Sequence, residues 1–277
     1  MRISNVLYAS LAIVLLFVYS AASASDREAE IIFEAERGNE PIPLLTEKYP
    51  DLTLDRAYKI QTDYVELKLV GDKVAGDRAG LTSKAVREKF GVSTSVSGVL
   101  FSSGKRASPA SIDDSKYRRP VIETEIGYVV SKPISVKIPD KARLMEHIGA
   151  VMPVVEIPET GFADIQKLKA EDIVAANVGS AVFITGDEKP AATAGLDKIA
   201  VVLASGEETL SRGEGSDVTG GQLQALLGLV NSVIENGYVI ERGSLLITGA
   251  LGKVVPAAPG RYEARYAGLG DITFEIK

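Results

Sequence analysis

Glu123 and Glu125 stand two apart in the run Val121-Ile122-Glu123-Thr124-Glu125-Ile126-Gly127-Tyr128-Val129-Val130. β-Branched and aromatic residues dominate this run and no proline interrupts it, so it reads as a strand, on which alternate side chains share a face. The two carboxylates are therefore neighbours. They repel each other, and burying them uncompensated is costly, so the pair is either solvated or gathered around a cation. A third acid, Glu156, breaks the apolar run Val151-Met152-Pro153-Val154-Val155-Glu156-Ile157. A charge in such a run usually sits at a wet strand end, and is almost never fully buried unless paired. If the two strands approach, three carboxylates converge, and an all-oxygen set with open positions suits a hard divalent ion such as magnesium or manganese. Solvated strand faces are the other reading of the same pattern.

Few other chemistries are open to this chain. It has no cysteine, which removes thiol catalysis, thiolate metal sites and disulfides together. His147 is the only histidine and falls on a short polar segment, where a surface residue is the expectation. Ser211-Arg212-Gly213-Glu214-Gly215 is glycine-rich but lacks the Lys-Ser/Thr ending of a phosphate loop. The net charge is −6 and no basic cluster is present, so nucleic acid is a poor partner and small molecules or proteins are better ones.

The elements that must position these acids follow from periodicity and punctuation. Arg2, an apolar stretch over 6–19 and the small residues Ala22-Ser23-Ala24 have the make-up of a secretory signal peptide, and the apolar stretch is short of the roughly 20 residues of a spanning helix. The expectation is a leader over 1–24, cleavage after Ala24, and a periplasmic or secreted product with no membrane segment. Arg2 is the only charge in the leader, so the mature net charge moves from −6 to −7. Residues 25–277 are enough for one large domain. Helices are expected over 26–38, over 53–70 with Thr53 as cap, and over 84–90 with Ser83 as cap. Glycines at 76 and 80 bracket Arg78 in a short strand, which suits a tight connection. Residues 91–120 are rich in turn formers and read as a surface excursion. Beyond the central strand, helical patterns are expected over 141–148, 162–173 and 222–235. Strands are expected over 151–157, 181–184, 199–203, 208–210 and 245–249, with two more closing the chain. Helices concentrate before residue 91 and strands after it, which favours an α+β fold around a large antiparallel or mixed sheet.

Motifs in this order resemble the fumarylacetoacetate hydrolase superfamily, in its 2-oxopent-4-enoate hydratase and 4-oxalocrotonate decarboxylase branch. They are Ala57-Tyr58 with Gln61, Gly80-Leu81-Thr82-Ser83, Gly91-Val92, Gly98 with Leu100-Phe101, and Pro120 through Ile126. After these come Pro153 with Glu156-Ile157, Asn177, Gly213 with Gly215-Ser216, Gly243, and Thr248-Gly249-Ala250-Leu251-Gly252. They run from about residue 53 to the C-terminus. The resemblance implies a distorted mixed β-roll with flanking helices, in one hydratase-like catalytic domain that assembles as a homo-oligomer. It implies magnesium or manganese held by Glu123, Glu125 and Glu156. The substrate implied is a small 2-oxo acid, held through Arg78, Leu81, Asn177 and Thr248 and reacting through an enolate or dienolate. Three positions depart from the branch. Arg78 stands where the hydratases have lysine, and as a permanently charged group it suits a clamp better than a proton carrier. Ser95-Val96 replaces Pro-Asp, and Ala176-Asn177-Val178-Gly179 replaces Asp-Asn-Ala-Ser. These losses leave open a second expectation, a catalytically silent relative that binds a small acid or serves as a scaffold.

Overall fold

The structure, a computed structural model, describes residues 24–191 and 195–277. The expected leader lies outside them. Among the described residues no helix is long and apolar enough to cross a membrane.

Helices α1 (Ala24–Arg37), α2 (Leu45–Lys48) and α3 (Leu54–Leu69) precede strand β1 (Val74–Gly80), and α4 (Lys84–Phe90) leads to β2 (Val96–Phe101). Next come β3 (Lys105–Ala107), β4 (Ala110–Ile112), β5 (Val121–Val130), α5 (Lys141–Met145), β6 (Ile148–Ile157) and α6 (Ala170–Ala175). A 3₁₀ turn at Asn177–Gly179 then leads to β7 (Val182–Thr185), β8 (Lys189–Pro190), β9 (Ala200–Ser205), β10 (Glu208–Glu214) and α7 (Gln222–Glu235). The chain closes with β11 (Leu245–Ile247), β12 (Val255–Pro256), β13 (Gly260–Tyr266) and β14 (Gly270–Ile276). Thr53 and Ser83 cap α3 and α4 as their sequence positions predict, accepting from the N–H groups of Arg56 and Val86.

Two mixed sheets form the body, in agreement with the α+β expectation. The larger has the order β2-β1-β11-β5-β6-β7-β3, with β12 and β8 pairing at β5 and β6; β1 with β11 and β3 with β7 are parallel. The smaller has the order β10-β9-β13-β14-β4. Ile122, Ile126, Tyr128 and Val130 of β5 join a core that includes α7 and the smaller sheet. Helices α1, α3 and α6 bury a second core against Val96, Val99 and Phe101 of β2.

Three expectations change. Residues 91–120 are not a surface excursion throughout, because every residue of β2 is buried. Gln61 of α3 pins that strand by donating to Ser97 O and to Val174 O of α6, both at 2.9 Å. The helix expected over 162–173 is confined to α6. A parallel bridge from Ile42 to Phe162 holds its start extended, and the Asp164 carboxylate takes the Gln166 N–H at 2.9 Å, a local bond that competes with helix. The segment around Arg78 is no mere connection, since β1 runs inside the larger sheet between β2 and β11.

Candidate metal centre

Register places the site. In β5 and β6, Glu123 faces Glu156 and Glu125 faces Val154, and on the other side of β5 Gly127 pairs with Ile247 of β11, which pairs with Arg78 of β1. Partners across a ladder share a face, so the three glutamates and Arg78 stand on one face of the larger sheet, opposite the core that α7 fills. Arg78 itself pairs with Gly98. A Cβ at Gly98 would lie 2.7 Å from Asn177 O, so glycine there lets the 3₁₀ turn lie down on the sheet beside Arg78.

One carboxylate oxygen from each of Glu123, Glu125 and Glu156 lies within 4.8 Å of the others. Glu125 and Glu156 are wholly buried and Arg78 is 3% exposed. Arg78 Nη2 reaches Glu156 Oε2 at 2.9 Å and Glu123 Oε2 at 3.3 Å, while Nη1 donates to Val178 O at 2.6 Å. Glu125 Oε2 accepts the Gly249 N–H at 2.6 Å. Gly249 has φ +105°, a left-handed conformation, and a Cβ there would strike the Thr82 side chain at 2.3 Å. Within this cluster four buried atoms make no hydrogen bond: Glu125 Oε1, Arg78 Nε and both carboxylate oxygens of Glu156, of which Oε2 has only its ion pair with Arg78. Burial pushes all three carboxyls above their ordinary range, Glu125 to about 8 with repulsion from Glu123 as the next cause, and the nearby guanidinium only partly opposes this. Burial pulls Arg78 down, yet attraction to Glu156, Glu123 and Glu125 outweighs it and holds the guanidinium above its usual value.

These features fit a divalent cation. When all three carboxylates are ionised, the one guanidinium leaves two negative charges unbalanced in a buried place, which one divalent ion cancels and thereby favours the ionised forms. The donors are all oxygen, which suits magnesium, manganese or calcium, and Glu125 Oε1 and Glu156 Oε1, which have no partner, are the acceptors such an ion would fill.

No family model matches the chain. A 4-oxalocrotonate decarboxylase from a Pseudomonas species is 33% identical over 249 residues, covering 88% of this chain and 94% of that protein. The chain belongs to the hydratase and decarboxylase branch of the fumarylacetoacetate hydrolase superfamily. A 2-keto-4-pentenoate hydratase from Paraburkholderia xenovorans is 29% identical over 256 residues, 91% of this chain and 94% of that one. A solved 4-oxalocrotonate decarboxylase from Pseudomonas putida, complexed with magnesium and adipate, superposes with a TM-score of 0.87 at 30% identity, over 91% of this chain and 97% of that one. The same enzyme has been solved with calcium and acetate.

Within this branch of the superfamily, the other sequence-derived positions fall into place unevenly. Leu81 is half-buried beside Gly80 and has φ +54°. Asn177 is close to Arg78 through the 3₁₀ turn, but its amide is engaged inside the fold: it accepts from Val99 N at 2.7 Å and donates to Val99 O at 2.9 Å. Thr248 is wholly buried, and its hydroxyl donates to Gln222 Oε1 at 2.7 Å. At the positions that depart from the branch, Val96 and Val178 are buried, and a Cβ on Gly80 would lie 2.3 Å from Val178 Cγ1 and 3.4 Å from Val96 Cγ2. Val178 has φ +56°, an expensive conformation for a β-branched residue, and its carbonyl is the one that Arg78 holds. His147 is half-buried, with Nδ1 3.2 Å from Lys132 O. Three groups at the site escape sequence reasoning: the Gly249 N–H, the Val178 carbonyl and the Tyr266 hydroxyl, which bonds Glu125 N at 3.2 Å. The first belongs to the backbone of a motif residue and the second to the backbone of a residue that departs from the branch. Tyr266 carries no local signal, because its role depends on how the sheets pack.

Proposed function

We propose that the protein is a divalent-metal-dependent lyase acting on a small 2-oxo acid, with Glu123, Glu125 and Glu156 holding magnesium or manganese and Arg78 clamping the substrate. The observation that carries this reading is the set of buried, unpartnered atoms in one cluster: acceptors on Glu125 and Glu156 and a donor on Arg78. The cation, when bound, supplies Lewis-acid stabilisation for negative charge building on the ketone oxygen. Arg78 offers Nε to an anionic oxygen of the substrate and keeps its own charge throughout. Leu81 adds an apolar contact beside it, and Asn177 and Thr248 act by fixing the backbone around the site.

Of the reactions named for the relatives, decarboxylation suits the wall formed by Val96 and Val178. The bond to the departing carboxylate breaks, its electron pair passes along the conjugated chain to the 2-oxo oxygen, carbon dioxide leaves, and solvent water returns a proton to carbon. Hydration needs a positioned base to activate water, and those two valines provide none. The test is to add magnesium or manganese to the purified protein and follow the ultraviolet absorbance of 4-oxalocrotonate, 2-hydroxypenta-2,4-dienoate, oxaloacetate and acylpyruvates. Metal-dependent loss of 4-oxalocrotonate with release of carbon dioxide is expected; no turnover of any of them overturns the reading. The same apolar wall favours one other reading, a silent binder of such acids, which gives ligand-dependent thermal stabilisation without product. The composition of residues 1–24 supports export before the enzyme acts, and a mature N-terminus at Ser25 in an exported fraction tests that point.

A further inference from the structure

The geometry points to Tyr266 as a positioning residue for Glu125, an inference that rests on Glu125 being a metal ligand. Tyr266 closes β13 in the smaller sheet and is 2% exposed. Its hydroxyl crosses to the larger sheet and touches both strands that carry the glutamates: it accepts the Glu125 N–H at 3.2 Å and donates to Val154 O at 2.5 Å. Glu125 and Val154 are partners in the ladder, so one hydroxyl clasps the rung from which the Glu125 carboxylate projects.

The neighbouring residues are tied down from outside the ladder as well. Thr124 exchanges two bonds with Leu251, its O accepting from Leu251 N at 2.8 Å and its Oγ1 donating to Leu251 O at 2.9 Å. Two residues earlier in that segment, Gly249 holds Glu125 Oε2. The carboxylate is thus fixed at its tip by Gly249 and at its backbone by Tyr266, and Oε1 is the oxygen left over. Without the phenolic oxygen, the Glu125 rung loses its anchor to the second sheet, and the spacing between Glu125 and Glu156 is no longer set by both sheets.

Removal of groups that orient metal ligands weakens metal binding by about ten- to a hundredfold, and that loss is expected of Tyr266→Phe. A matched control lies on the same strand. Tyr262 donates to Ala258 O at 2.7 Å and accepts from Ala258 N at 3.3 Å, so its hydroxyl also clasps two backbone groups, but away from the glutamates. The experiment titrates Mn2+ into the full-length protein, Tyr266→Phe and Tyr262→Phe, reading free Mn2+ by electron paramagnetic resonance, with the metal-free melting temperature of each recorded alongside. Expected are similar losses of melting temperature in both variants and a weakened Mn2+ affinity in Tyr266→Phe alone. Unchanged affinity in Tyr266→Phe, or an equal loss in Tyr262→Phe, overturns the positioning role. Failure of the unsubstituted protein to bind Mn2+ overturns the metal reading itself, and is told apart because it needs no variant.

Discussion

At the scale of residues, the site sets stability against function. Arg78 is the only counter-charge touching Glu123 and Glu156 among the described residues, and removing one partner of a buried ion pair costs about 3–5 kcal/mol. Arg78→Met is therefore expected to lower the metal-free melting temperature sharply, and saturating magnesium or manganese should recover part of the loss. Equal losses with EDTA and with metal would show that the guanidinium and the cation do not share the carboxylates. Glu156→Gln tests the carboxylate side of the same pair. It takes from Arg78 the carboxylate that lies 2.9 Å away, so the metal-free protein is expected to lose stability too, by less than in Arg78→Met because the neutral amide oxygen still accepts from the guanidinium, and to lose any thermal response to divalent ions. A variant whose melting temperature still rises with metal would contradict this. The sequence displays the Glu123 and Glu125 pair because strand alternation alone puts them on one face. It does not display the burial of Glu156 or the approach of Arg78, since both depend on the register of β6 and β1 with strands far away in the chain.

Elements decide which side chains reach the site and which are sealed away from it. Strand β1 turns Arg78 to the carboxylates and the adjacent Asp77 to the other face, where it is 5% exposed and adds a smaller push to the Tyr238 hydroxyl, whose pKa burial raises first. Burial alone lifts the Asp77 carboxyl to about 7. A carboxyl whose folded value is raised binds its proton more tightly in the native state, so it costs nothing at pH 4 and destabilises progressively until pH 7. At about 1.4 kcal/mol per unit, the whole effect is a few kcal/mol. Asp77→Asn should flatten the fall in melting temperature between pH 4 and pH 7 and raise stability at pH 8; an unchanged slope would place the charge elsewhere. Gly249 is a second element-level constraint. Alanine there meets both the positive φ and the Thr82 side chain, so Gly249→Ala is expected to destabilise the fold by about 1–3 kcal/mol and to weaken Mn2+ binding by moving the N–H that Glu125 accepts. Periodicity and caps make α1, α3, α4 and α7 legible from sequence. Strand β2 escapes because Ser97 and Gly98 within it, and Ser95 just before it, give it the look of a loop, and its burial comes from helices packed over it.

The molecule as a whole places its charged cluster where its parts join. β5 is in the larger sheet's interior, Tyr266 brings in the smaller sheet, Gly249 the segment after β11, and Val178 the turn that α6 and β2 hold. A cation bound there touches residues that separate only when both sheets come apart, so its binding energy should count towards global unfolding and not towards a local opening. At a hundred times Kd a ligand adds about 2.7 kcal/mol. For a chain of this size that corresponds to a rise of roughly 5–10 °C in melting temperature. The chain has ten tyrosines and no tryptophan, so far-ultraviolet circular dichroism and tyrosine fluorescence report backbone and core separately. Both should show one transition, displaced by the same amount on adding magnesium or manganese and restored by EDTA, with no response to an equal ionic strength of sodium chloride. A shift seen by one probe alone would confine the cation's effect to one part of the fold, and no shift at all would mean that the buried glutamates are satisfied by protons and Arg78 without a metal.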